Sequence, residues 1–282
     1  MDFGKTVEFI RRQKNFSIKQ ICGDYLSRQT YYRFVKNEVD ISSSKLFFML
    51  DKLNVDVDEF LFICNNFQLP KEFSDMEKVK YYFEKNDIKS LEELRTYYIQ
   101  QRDTKQKILF CLVTVLLGRL TRNSVFEEEK ILKEYLFNIE TWTHYEIVLF
   151  NNSMFIFDND FIELVFTKVN IHLNNYSPLR YYGSESIRML INMVILYIDR
   201  QDLNRAQDIL LTLKNKKLHD DWIYEKCCIL FFDNIITYLT KGDSLDVCKS
   251  ILRVFRLVDS SSIANMFEVY LENINNDYPK TD

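Results

Sequence analysis

A chain of 282 residues exceeds what one small core usually absorbs, so its length favours two domains or one extended repeat. Its 47% hydrophobic and 28% charged residues exclude global disorder, and 5 Gly with 3 Pro are too few for the turns of an all-β chain, leaving mostly helix. The net charge of -4 is uneven: residues 1–50 hold nine Lys/Arg against five Asp/Glu, so they carry +4, the rest carries -8, and only the first fifth suits a polyanion.

Phe3, Val7, Phe9 and Ile10 form the apolar side of a first amphipathic helix, with Lys5, Arg11, Arg12 and Lys14 opposite. Ser17 is an N-cap with Gln20 three residues on, the spacing of a capping box, and it turns Ile21 and Cys22 inward. This second helix ends near Gly23-Asp24. Ser27 then caps a third helix running through Tyr31, Phe34 and Val35 to Asn37, a residue suited to a left-handed terminus. Two short helices on a tight Gly-containing turn make a helix-turn-helix. Ser42 or Ser43 caps a fourth helix carrying Leu46, Phe47, Met49, Leu50 and Leu53, and Asp56 starts a fifth through Phe60, Leu61 and Ile63.

Residues 66–70, Asn-Phe-Gln-Leu-Pro, read as a linker, because Pro70 disfavours helix at Leu69 and the apolar period restarts after Ser74. The predicted organisation is a domain over 1–66, a linker over 67–74 and a second domain over 75–282. In that second domain apolar helices are predicted near 75–86, 89–101, 104–120, 127–138, 142–151, 158–172, 178–198, 202–215, 221–240, 244–257 and 261–275. Helix pairs of about 35 to 45 residues suggest a tetratricopeptide-like solenoid. Residues 202–207, Asp-Leu-Asn-Arg-Ala-Gln, are the clearest echo of that repeat; its consensus does not read through the other pairs.

Several functions are excluded on chemistry. The chain has no GxxxxGKS/T phosphate loop, no GxSxG elbow and no HExxH zinc helix, and its three histidines, at 144, 172 and 219, stand at no fixed spacing from a nucleophile. The reading is therefore not an enzyme, with no catalytic residue, metal or cofactor. Six cysteines without a CxxC pair or metal-spaced Cys/His set are expected mostly as buried thiols. Lys5, Glu8, Arg11 and Arg12 interrupt any leader-like run, and residues 108–117 are about half of a bilayer span, so a cytoplasmic chain with no membrane partner is expected.

The run 26–34, Leu-Ser-Arg-Gln-Thr-Tyr-Tyr-Arg-Phe, followed by Lys36-Asn37-Glu38-Val39-Asp40-Ile41-Ser42, resembles the recognition helix and following turn of the Cro/repressor-type domain in the Rgg family. Val35 departs from that family, where an acidic residue commonly follows the position of Phe34. The resemblance extends to Trp142-Thr143-His144-Tyr145-Glu146 with Leu149-Phe150-Asn151-Asn152, to the stretch from Arg188 through Asn192 and Tyr197 to Leu203, and to that from Tyr224 through Phe232 and Tyr238 to Gly242. It implies an all-α cytosolic regulator of Gram-positive bacteria, with a helix-turn-helix domain on promoter DNA and a tetratricopeptide-like domain that binds a short secreted or leaderless signalling peptide and forms a homodimer. It further implies activation of a secreted virulence or protease gene. A helical-repeat scaffold, or a phosphatase-type peptide sensor acting through protein contacts, is the alternative.

In such a motif the first turns of the recognition helix face the bases. Arg28 and Gln29 are placed there, since Arg pairs with guanine and Gln with adenine through two bonds each. Thr30 and Tyr32 lie within reach of base methyls or backbone, and Arg12, Lys19, Arg33 and Lys36 suit phosphates. For the peptide, His144 and Asn152 lie two helical turns apart. Glu185, Arg188 and Asn192 share a helix face with Tyr181, if Gly183 does not break the helix; Tyr182 and Tyr224 add apolar area with a polar tip. Facing Tyr176, Tyr182 or Glu185, His144 is the candidate pH switch. The bland alternatives are a Glu185–Arg188 pair and tyrosines packed in a core. The carboxy-terminal stripe of Ile263, Met266, Phe267, Tyr270, Leu271 and Ile274 is the candidate dimer surface, or else a cap on the solenoid.

Overall fold

The computed structural model describes residues 2–68, 71–101, 103–176 and 180–278, and side chains within these outside 71–74, 170–176, 180–182 and 275–277. Every element among them is helical. Two compact units divide the chain, Met1–Lys85 and Asn86–Asp282. Helix α6 (Lys71–Glu84) belongs to the first, so the structural division follows this helix, whereas the division read from sequence precedes it.

The first unit is built from α1 (Phe3–Gln13), α2 (Ile18–Cys22), α3 (Arg28–Val35), α4 (Ser43–Leu53) and α5 (Val57–Cys64), followed by α6. Local chemistry sets their ends. Ser17 and Gln20 make the reciprocal capping box of α2, and the Ser27 side chain accepts from the Thr30 N–H at the start of α3. Asn37 and Asn54 end α3 and α4 at φ 57° and 50°. Their apolar sides close one core of Val7, Ile10, Ile21, Tyr31, Phe34, Met49, Leu50, Leu53 and Phe60. Gly4 is required where α1 crosses the end of α3: an added Cβ would fall on the Phe34 carbonyl oxygen and within 2.9 Å of the Val35 Cα.

The second unit runs through α7 (Ile88–Ile99), α8 (Thr104–Thr121), α9 (Phe126–Asn138), α10 (His144–Ser153), a 3-10 turn (Met154–Ile156), α11 (Asn159–Tyr176), α12 (Arg180–Asp199), α13 (Leu203–Lys214), α14 (Ile223–Lys241), α15 (Asp246–Leu257) and α16 (Ser261–Asp277). Gly183 lies inside α12 without breaking it. Sequential neighbours pack in pairs, and alternate helices also touch: α8 on α10, α10 on α12, α12 on α14. This stacked layer is the signature of a helical solenoid. It explains the apolar run of α8, whose Leu109, Cys111, Leu112, Val113, Val115 and Leu116 are all buried between neighbours. No helix among the described residues is long and apolar enough to cross a membrane.

The carboxy-terminal stripe mostly turns inward. Phe267, Leu271 and Ile274 are buried, Phe267 stacks on Phe231 at 4.6 Å, and the Tyr270 hydroxyl bonds Asp199 at 3.0 Å. The stripe therefore caps the solenoid core, and Met266 and Val269 are the large apolar side chains that α16 exposes. Cys22, Cys111, Cys228 and Cys248 are buried, with Cys64 and Cys227 half-buried.

Candidate functional site

The outer face of α3 carries Arg28, Gln29, Tyr32 and Arg33, all exposed, with Thr30 half-buried behind Ser27. Lys19 and Lys36 are exposed at the adjoining helix ends. Two of the candidate cations have partners: Arg12 bonds Glu8 at 2.5 Å, and Arg33 lies 3.8 Å from Glu38. Arg33 and Glu38 are both exposed, so that pair contributes little and leaves the guanidinium open to other anions, whereas Arg12 is exposed but its Glu8 partner is only 15% accessible, so that carboxylate competes with a phosphate for it.

What holds this face still is its inner side. Tyr31 is 1% exposed, and its hydroxyl donates to Glu8 Oε2 at 2.6 Å. Arg11 grips the same carboxylate at 2.8 and 2.9 Å and also donates to the Phe16 carbonyl. Bonds from Arg11, then Tyr31 and Arg12, hold the Glu8 pKa at about 2, against the cost of partial burial. At the far end of α3, the Asn37 amide donates to Asp2 at 2.8 Å. Sequence reasoning ran the third helix through Tyr31 but did not find Glu8; an acid with Arg11 and Arg12 three and four residues on is the signal that marks it.

In the second unit the candidate polar residues fall on α10, α12 and α14, three stacked helices of one layer. Burial lowers the pKa of His144 against the opposing field of Glu185. Asn192 Nδ2 donates to Asn151 Oδ1 at 2.6 Å, joining α12 to α10, whereas Asn152 donates back to the Val148 carbonyl of its own helix at 2.7 Å. Thus Asn151, which sequence reading passed over, is the cross-helix partner, while Asn152 remains half-buried beside it. Arg188 donates to Glu225 at 2.9 Å and lies 3.4 Å from Glu185, with Tyr224 under its guanidinium at 5.2 Å. The anticipated Glu185–Arg188 pair is present, but as the weaker of two. Glu225, 3% exposed, also takes the Ser184 hydroxyl at 2.7 Å; it too was missed, because an acid in the first turn of α14, beside Lys226, carries no local sign of a partner on α12. The side chains of Tyr176, Tyr181 and Tyr182 lie outside the described residues.

The start of α10 is fixed from below. Trp142 is buried, lies tilted against Phe150 with ring centroids 5.5 Å apart and donates Nε1–H to the Leu136 carbonyl at 3.2 Å. The Glu146 carboxylate accepts from the Thr143 N–H, the Thr143 hydroxyl and the Tyr135 hydroxyl at 2.8, 2.6 and 3.0 Å. No cluster of three or more metal-ligating side chains occurs among the described residues.

A family model for the C-terminal domain of the HTH-type transcriptional regulator Rgg matches residues 91–269. Among solved structures, RopB is 48% identical, with 78% of this chain and 99% of that one covered and a TM-score of 0.61. A putative transcriptional regulator from Listeria monocytogenes EGD-e shares the fold at 19% identity, covering 98% of each chain with a TM-score of 0.89. The SHP pheromone receptor Rgg2 of Streptococcus dysgalactiae does so at 21% identity, covering 96% of this chain and 99% of that one with a TM-score of 0.76.

Proposed function

The chain belongs to the Rgg family of HTH-type transcriptional regulators, and we propose that it is a cytoplasmic DNA-binding regulator controlled by a short signalling peptide held on the α10–α12–α14 layer. The family and the solved neighbours are transcription regulators rather than enzymes. Residues 1–66 act as the DNA-reading domain, and the segment after 75 binds peptide and dimerises. The target is a secreted virulence or protease gene. The observation that carries the reading is the clamped α3 with Arg28 and Gln29 open on its first turn.

Arg28→Ala costs about 1–3 kcal/mol at one base pair, whereas Lys36→Ala weakens all duplexes about equally. Anisotropy titration of a promoter fragment and a scrambled duplex separates these; equal loss on both in Arg28→Ala refutes base reading. A second copy of the chain supplies the second half-site, and light scattering that finds a monomer at micromolar concentration sinks that part.

The peptide site rests on half-buried amides of Asn151, Asn152 and Asn192, which offer donors and acceptors to a peptide backbone. Rgg2 is named as a pheromone receptor, which supports the same use here. His144 makes binding depend on pH. Burial lowers its pKa, so this conformation is favoured above the ordinary histidine value of 6.5 and penalised as pH falls below it. A peptide-bound state that strengthens a bond from His144 to Glu185, Tyr176 or Tyr182 raises its pKa instead, so acidification strengthens binding. Fluorescence titration with leaderless peptides at pH 7 and at mildly acidic pH, with and without promoter DNA, tests this. Wild type binds more tightly in acid and His144→Ala loses most of that difference; an unchanged profile in the variant removes His144 as the sensor.

A further inference from the structure

Helices α1 and α3 meet at one carboxylate. Glu8 takes the Tyr31 hydroxyl at 2.6 Å from α3, and Arg11 and Arg12 from its own helix. Tyr31 stands one turn after Arg28 and one turn before Phe34, so its bond fixes how far α3 is rotated about its own axis. That rotation matters for reading bases. Turning a helix by about 20° moves a surface atom at about 6 Å radius by about 2 Å, which is more than a two-bond contact to guanine tolerates. Phe34 and its neighbours bury α3 by non-directional contact, which sets its depth but only loosely its rotation. The Tyr31 bond is directional, and in it a carboxylate accepts from a buried hydroxyl, the stronger class of hydrogen bond.

We propose that Glu8 is a positioning residue for DNA recognition: through Tyr31 it sets the rotation of α3 that brings Arg28 and Gln29 to base edges, and through Arg12 it offsets a cation that would otherwise bind any phosphate. The inference rests on the base-reading role of α3. Glu8 itself touches no DNA. Its loss therefore lowers discrimination rather than affinity at large.

The test uses the full chain, a duplex selected by wild type from a randomised pool, and a scrambled duplex of equal length, titrated over a range of salt. In Tyr31→Phe the preference for the selected duplex falls about tenfold, while affinity for the scrambled duplex stays within about twofold. In Glu8→Gln the preference falls alike, affinity for the scrambled duplex rises and its salt dependence steepens, since Arg11 and Arg12 lose their acid. Circular dichroism confirms retained helix, and Glu8→Gln carries the test alone if Tyr31→Phe does not fold. Unchanged preference in both variants, or parallel weakening on both duplexes, overturns the proposal. If Arg28→Ala also leaves preference intact, the base-reading role fails with it; if Arg28→Ala abolishes preference while the other variants keep it, only the positioning role fails.

Discussion

Arg188→Ala destabilises the chain by about 3 kcal/mol, the low end for breaking a buried ion pair. The effect comes from what is left behind. The Glu225 side chain is 4% accessible and accepts from Arg188 Nε and the Ser184 hydroxyl. Without Arg188 the carboxylate keeps one neutral donor and its full desolvation cost. Arg188 is itself 43% accessible, so water already screens part of the attraction, which is why the low end applies. Two further variants isolate the cause. Glu225→Gln keeps an acceptor for Ser184 while removing the charge, and Arg188→Ala combined with Glu225→Gln recovers most of the loss, giving a coupling of about 2 kcal/mol. Urea unfolding measures all three. If the double variant is as unstable as the sum of the singles, the deficit belongs to the packing of Arg188 on Tyr224 and not to a stranded charge.

Arg188 also shows how far a sequence can be read. Features set within a few residues were legible: the Ser17 and Ser27 caps, the left-handed Asn37, and the run of helices from α7 to α16 all follow from spacing and local hydrogen bonding. Partners across the fold were not. Glu225 pairs with Arg188 across 37 positions, Asn192 with Asn151 across 41 and Tyr31 with Glu8 across 23, and no local rule selects one acid or amide among many at that distance. The choice between Asn151 and Asn152 turned on rotation, since adjacent residues point about 100° apart around a helix. The α16 stripe was legible as apolar, but a stripe is the same whether it meets a second chain or the end of its own solenoid. The burial of Phe267, Leu271 and Ile274, with Phe231 stacked on Phe267, shows this stripe covering the core.

Trp142→Ala should cost about 3–5 kcal/mol, the range for removing a large buried aromatic side chain. Trp142 is 1% exposed at the turn that leads into α10, with its ring against Phe150 and its N–H bonded to Leu136. Deleting it empties the space beside Phe150, which in turn stacks on Phe157 at 5.8 Å, and removes the donor to the Leu136 carbonyl at the end of α9. Collapse cannot fill the space easily, because Ile147, Leu149 and Phe150 are already held in place by α8 and α12. The functional consequence follows from position. Trp142 lies two residues before His144, so the cavity loosens the turn that orients His144, Asn151 and Asn152, and peptide affinity falls together with stability. Trp142→Phe keeps most of the volume but not the N–H, and loses about 1–2 kcal/mol, the part owed to the unpaired Leu136 carbonyl and the smaller ring. Denaturant midpoints of the two variants measure the split. A Phe variant as unstable as the Ala variant would assign the anchor to the hydrogen bond, and an Ala variant within about 1 kcal/mol of wild type would mean that α10 does not depend on this ring.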